Sequence, residues 1–151
     1  MTRTTVMHLH DVKKAHTISI RKKIKSYFSK RREVLAVYLF GSQATGAVKA
    51  WSDVDVGVLI HPEFKKRASE LEFKYRFDLE KILESDVDIA VLNGADLFLV
   101  QQILTKGIRV FVRGVKRAEE LTLHLLKLSW DFMPLKRVFD DAAQKRLEHG
   151  Y

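Results

Sequence analysis

The sequence predicts an α+β domain: about four short strands in one small sheet, flanked by helices, with a helical extension at the C-terminus. Three observations carry this. Short apolar runs at Val34–Phe40, Val54–Ile60, Asp86–Leu92 and Ile108–Val112 alternate with segments of helical period. The chain has 151 residues, 46% apolar and 30% charged, which suits one compact domain with a real core. After Val112 the apolar residues step by four and three, a helix pattern with no further strand.

Residues 1–16 hold three of the six histidines, His8, His10 and His16, without a clear apolar period, and are expected to form a loosely ordered lead. Ile20, Ile24 and Tyr27 then recur at i, i+4 and i+7 between Arg21, Lys22, Lys23 and Lys25. That spacing predicts an amphipathic helix from about Thr17 to Lys30 whose basic side faces water or a partner. Ten of the 27 Lys and Arg lie before residue 34, against only Asp11 and Glu33, so the whole net charge of +8 resides there. Such asymmetry fits either a solvated helix face or an anionic partner such as nucleic acid or an acidic protein surface.

Val34–Phe40 is nearly all apolar and ends in glycine, the pattern of a strand covered on both faces. It runs into Gly41-Ser42-Gln43-Ala44-Thr45-Gly46, where a strand turning into a short helix would offer backbone N–H groups and a hydroxyl to an anion. In the next strand Asp53 and Asp55 point one way and can share a divalent cation, while Val54, Val56, Val58 and Ile60 point into a core. His61-Pro62 stops that strand, and the proline suits the first turn of a helix spanning about Glu63 to Glu84. Its predicted inward stripe is Phe64, Ala68, Leu71, Tyr75, Leu79 and Ile82.

Asp86, Asp88 and Ala90 share one face of the third strand; Asp88 has apolar neighbours on both sides and is preferred to Asp86 as a third acid. Asn93-Gly94 signals a turn, Asp96 is placed to cap a helix from Leu97 to Lys106, and Gly107 suits a left-handed position after it. In the tail, Leu121, Leu125, Leu128, Phe132, Leu135, Phe139 and Ala142 form a heptad-like seam. Pro134 within it predicts a kink or a break near Met133. The seam is expected to cover the domain's own sheet or to serve as a dimer or partner surface. The sequence thus divides into a lead, 1–16; a domain, 17–114; and an extension, 115–151.

There are no cysteines, which rules out a disulfide framework or a thiolate zinc site. No run approaches the ~20 apolar residues of a membrane span and no apolar leader follows Met1, so a cytoplasmic location is expected.

Gly41-Ser42, a spacer, Asp53-Val54-Asp55 and the later Asp88 together resemble the signature of the DNA polymerase β-like nucleotidyltransferase superfamily. Leu39-Phe40 before the Gly-Ser, Gly46 after it and Ser52 before the acids extend the likeness. The short chain and the segment Leu97–Phe111 are similar to the minimal nucleotidyltransferases (MNT), antitoxins of HEPN toxins. This resemblance implies a polymerase β palm-like fold with a mixed sheet. It further implies that Asp53, Asp55 and Asp88 hold two Mg²⁺ ions, that Asp88 accepts the acceptor's proton, and that Gly41 and Ser42 hold the phosphates of ATP. The implied activity is transfer of AMP from ATP to a tyrosine of a HEPN toxin, with release of pyrophosphate.

Two-metal transfer gives a reason for three hard-oxygen ligands, because charge builds on both the attacking and the leaving oxygen. One departure is Thr45, where the family often has arginine. Transfer to RNA or to a small molecule, and neutralisation of a partner by contact alone, are the competing expectations. Nucleic acid could enter through the basic N-terminal helix, and an oligomer or hetero-complex could form through the C-terminal seam.

Overall fold

The computed structural model describes residues 2–41 and 53–148, with side chains from Lys14 onward in the first of these segments. Four strands form one mixed sheet in the order β3-β2-β1-β4. These are β1 (Val34–Phe40), β2 (Val54–Ile60), β3 (Val87–Val91) and β4 (Ile108–Val112). The central β1 pairs antiparallel with both β2 and β4, whereas β2 and β3 run parallel.

Helix α1 (Thr2–Ser29) begins well before the predicted start near Thr17. Ile20, Ile24, Tyr27 and Phe28 are its buried stripe. It ends in a turn in which the N–H of Arg31 donates to Phe28 O at 3.0 Å, and the Arg113 guanidinium donates to the carbonyl of Ser29. A cation there satisfies one of the carbonyls a helix leaves open at its C-terminus.

The connection from β2 to β3 starts at Pro62 as predicted, but its first part, Pro62–Arg67, is a 3₁₀ helix and α2 proper spans Ala68–Leu83. Leu71, Tyr75 and Leu79 are buried as the spacing demands; Ile82 is 39% exposed, and Leu83 packs on the core in its place. The helix stops at Glu84, which adopts the left-handed conformation at φ 52°. That conformation costs a non-glycine residue about 1–2 kcal/mol.

Two apolar layers sandwich the sheet. On one face α1 and α2 pack over Val54, Val56, Val58 and Ile60. On the other, α3 (Leu97–Lys106) and α4 (Val115–Glu148) pack over Leu35, Tyr38 and Leu59. Asp96 caps α3, accepting from the N–H groups of Phe98 and Leu99. Gly107 is not left-handed but extended, at φ −74°. Glycine is needed there because a Cβ would collide with the carbonyl of Ile103 and lie 3.1 Å from that of Leu39.

Helix α4 is continuous through Pro134, so the tail is not broken into two helices near Met133. Its buried stripe is made of small residues, Ala118, Thr122 and Ser129, with Leu121 and Leu125 packing beside them. Small side chains let two helices approach closely. The distal part of the leucine seam stays open: Leu128, Leu135 and Phe139 are exposed.

Candidate active site

At one end of the sheet, β1 finishes at Phe40, just before Gly41, while β2 begins at Val54, just after Asp53. The register sets Phe40 opposite Asp55. On the other side of β2, the parallel pairing sets Asp88 opposite Asp55, with Val54 beside Val87 and Val56 beside Ile89. Two carboxylates distant in sequence are therefore neighbours on adjacent strands. The alternation that sends Val54 and Val56 into the α1–α2 layer directs Asp55 and Gly57 to the α3–α4 side.

The acids differ in exposure. Asp53 and Asp88 are exposed and Asp55 is half-buried. Burial, and next the charges of Asp88 and Asp53, push the Asp55 carboxyl above its ordinary value. Asp88 and Asp53 thus both act electrostatically on Asp55, as like charges gathered at one edge should. Asp86, the rival third acid, is exposed one step before β3, and its backbone carbonyl accepts the N–H of Val54 at 2.9 Å. The register places Asp88, not Asp86, beside Asp55.

Gly41 closes the edge. It adopts φ +64°, and a Cβ there would overlap Oδ2 of Asp55, so both conformation and space call for glycine. Ser42, Gln43, Ala44, Thr45 and Gly46, the rest of the expected phosphate cradle, lie outside the described residues. Helix α3 ends at Lys106 beside the same end of β1, since Gly107 packs against the carbonyl of Leu39.

Among the described residues, no three His, Cys, Asp or Glu side chains are arranged to hold a metal ion. The chemistry of the donors nonetheless fits a hard divalent cation: all three groups are carboxylates, and the repulsion that raises Asp55 is the kind a bound cation relieves.

Asn93 was legible only as a turn residue. Its side-chain amide donates to Ile60 O at 2.7 Å and its oxygen accepts from Ile60 N at 2.9 Å, which fastens the segment after β3 to the far end of β2. Glu72 of α2 similarly accepts from Val91 N at 3.0 Å. These bonds help fix the register that pairs Asp55 with Asp88, and nothing in the spacing of residues announces them.

The layered fold and the acid-bearing edge define a nucleotidyltransferase-type domain. A family profile described as "Polymerase beta, Nucleotidyltransferase" matches residues 22–115, and the chain belongs to that family. The protein adenylyltransferase MntA of Shewanella oneidensis is 36% identical over 86 residues, which is 56% of this chain and 58% of that protein. The matched segment therefore spans under two thirds of the relative. Among solved structures, a chain of a toxin-antitoxin crystal structure with AMP-PNP superposes with a TM-score of 0.67 at 22% identity, covering 82% of this chain and 98% of that one. A second is a complex of a tri-AMPylated Shewanella oneidensis HEPN toxin with MNT antitoxin. It gives a TM-score of 0.60 at 20% identity over 87% and 98% of the two chains. At these identities the structural likeness concerns the fold. Among the described residues, no helix is long and apolar enough to cross a membrane.

Proposed function

We propose that the chain is an MNT-type nucleotidyltransferase that restrains a HEPN toxin by transferring AMP from ATP to a tyrosine hydroxyl of that toxin. The observation that carries this reading is the pairing of Asp55 with Asp88 across β2 and β3, beside Asp53 and against Gly41. The adenylyltransferase relative and the toxin-antitoxin complexes of like fold support it.

In this reading Asp53, Asp55 and Asp88 would hold two Mg²⁺ ions, which when bound neutralise phosphate charge and lower the cost of charge on the entering and leaving oxygens. Gly41, without a side chain, lets the triphosphate approach the backbone next to Asp55, and Ser42 supplies a hydroxyl and an N–H to its outer phosphates. The tyrosine oxygen attacks the α-phosphorus, the bond from that phosphorus to the bridging oxygen breaks, and pyrophosphate leaves. Asp88, exposed at the sheet edge, receives the tyrosine proton. The half-buried Asp55 stays fixed between the strands and orients the reacting groups.

The partner would dock on the distal half of α4. There Leu135, Val138, Phe139 and Leu147 are exposed on a helix whose proximal half is already packed. Helix-on-helix docking of such a face is a common recognition mode.

The test is incubation with α-labelled ATP, Mg²⁺ and the toxin encoded beside this protein. Label on a toxin tyrosine, lost in Asp88→Asn, is the expected result. Label confined to RNA or to small molecules would overturn the acceptor assignment, and toxin neutralised equally well by Asp88→Asn would favour restraint by contact alone.

A further inference from the structure

We infer that the outward face of α1 is a binding surface for the phosphate backbone of nucleic acid, separate from the candidate active site. The cations of this helix are presented rather than paired. Lys22, Lys23, Lys25 and Lys30 are exposed, and among the described residues of α1 and its following turn only Arg31 has an acidic partner, Asp78 at 3.5 Å. Recesses flank the helix on both sides. One of about 450 Å³ is lined by Lys22, Lys23, Ser26, Tyr27, Lys30 and Arg31 of this helix and its turn, with Ile82 of α2 as its wall. The other, about 160 Å³, is lined by Arg21, Lys22 and Lys25 with Ile108, Arg109 and Val110 at the outer edge of β4, where the Arg109 guanidinium is itself ion-paired with Glu119 of α4. A basic band therefore crosses the helix from the sheet edge to α2.

Its dimensions and composition suit a phosphate chain. Lys22 to Lys30 spans roughly 12 Å of helix axis at 1.5 Å per residue. That is the axial reach of roughly three to four phosphates on one strand of a duplex at 3.4 Å each. A protein partner is the weaker fit, because protein interfaces depend on buried aromatic or aliphatic anchors. Along the described side chains of α1 the one large exposed apolar group is Ile18. Binding to a phosphate backbone needs only the cations.

The band lies on the opposite side of the sheet from the acids. The buried stripe of α1 packs over Val54, Val56 and Val58, whereas Asp55 faces the α3–α4 side. A strand held on α1 leaves the acid-bearing edge open, so binding there is separable from nucleotidyl transfer.

Fluorescence anisotropy with labelled 20-nucleotide single-stranded RNA, and with RNA and DNA duplexes of the same sequence, tests the assignment on the full chain without ATP. Four single-strand phosphate contacts predict an affinity loss of about 50-fold between 50 and 200 mM salt. Substituting Lys22, Lys23, Lys25 and Lys30 together by Gln should abolish binding and leave the thermal midpoint unchanged. A control with Lys65, Lys66, Lys116 and Lys127 replaced by Gln removes equal charge elsewhere and should retain binding. The inference is overturned by absence of binding at 50 mM salt, by equal loss in both variants, or by polyglutamate displacing RNA as effectively as unlabelled RNA does. That last result would reveal an acidic-protein surface instead. The three nucleic acids, compared side by side, assign the band to RNA or DNA, single strand or duplex.

Discussion

Gly41 and Asp55 are packed so closely that a single methyl group added to Gly41 would overlap Oδ2 of Asp55. The same glycine sits at φ +64°. Gly41→Ala should lower stability by about 1–2 kcal/mol through backbone strain. It should also reduce nucleotidyl transfer by about a hundredfold through displacement of Asp55, since misplacing a reacting group by about 1 Å costs that much. Urea unfolding and a labelled-ATP assay read the two effects separately. Normal transfer in a destabilised variant would show that the close approach serves only the fold.

The charges around Asp55 predict a trade between stability and activity. A carboxyl whose folded-state value lies above its ordinary 3.8 keeps its proton better in the folded chain. Its contribution to stability therefore declines as pH rises from 3.8 through the raised value, and at neutral pH the metal-free fold bears the whole penalty. Removing one neighbouring charge should relieve part of it. Asp88→Asn is expected to raise the thermal midpoint in EDTA at pH 7, to lose that advantage as pH falls toward 4, and to abolish transfer. A midpoint at or below that of the wild type at pH 7 would contradict the electrostatic account.

Asn93 is expected to matter more than its place in a short turn suggests. Ile60 is fully buried, and both its backbone groups rely on the Asn93 amide. Asn93→Ala leaves a buried N–H and C=O without that partner and should cost about 1–3 kcal/mol. Asn93→Asp keeps the size but gives up the donor, so denaturant midpoints should fall for both variants.

Cutting the chain after Pro134 should separate folding from partner binding. The buried residues of α4, Ala118, Thr122 and Ser129, all precede the cut, whereas Leu135, Val138, Phe139 and Leu147 beyond it are exposed. The truncated protein should unfold within about 3 °C of the full chain, a difference worth about 1 kcal/mol for a domain of this size. It should fail to co-purify with the proposed toxin partner. Retained co-purification would move the docking surface elsewhere.

Much of the domain could be read from the order of residues because it depends on local period. Alternation in Val54–Ile60 and the i, i+4, i+7 spacing of Ile20, Ile24 and Tyr27 encode burial directly, and both reappear in the packed layers. Asp96 followed by Leu97 encodes a cap, and the cap is present. Features set by contacts between distant segments were not legible in that way. Gly107 looked like a left-handed terminator, yet its backbone is extended, and the need for glycine comes from the Ile103 and Leu39 carbonyls. In α4 the leucines drew attention while Ala118, Thr122 and Ser129 make the close packing, because small residues are weak signals in any periodic reading. Pro134 illustrates the limit of propensity, since α4 continues through it. For the candidate site, the sequence named the acids and preferred Asp88 to Asp86 from its apolar neighbours, whereas its place directly beside Asp55 comes from the β2–β3 register.

The parallel β2–β3 pair has a consequence for how this domain can vary. Asp55 and Asp88 are joined by a crossover whose helix is locked in rotation: Leu71, Tyr75 and Leu79 face the core while Glu72 reaches Val91. Each residue added inside α2 would turn everything beyond it by about 100°, dragging one of these contacts out of phase. Added near Glu84 and Ser85, outside the helix and the strand, the same residue would leave both contacts and the strand pairing untouched. Length changes between the acids should therefore be tolerated at the junction and rejected within the helix, and related chains can be aligned by phase where simple residue counting fails.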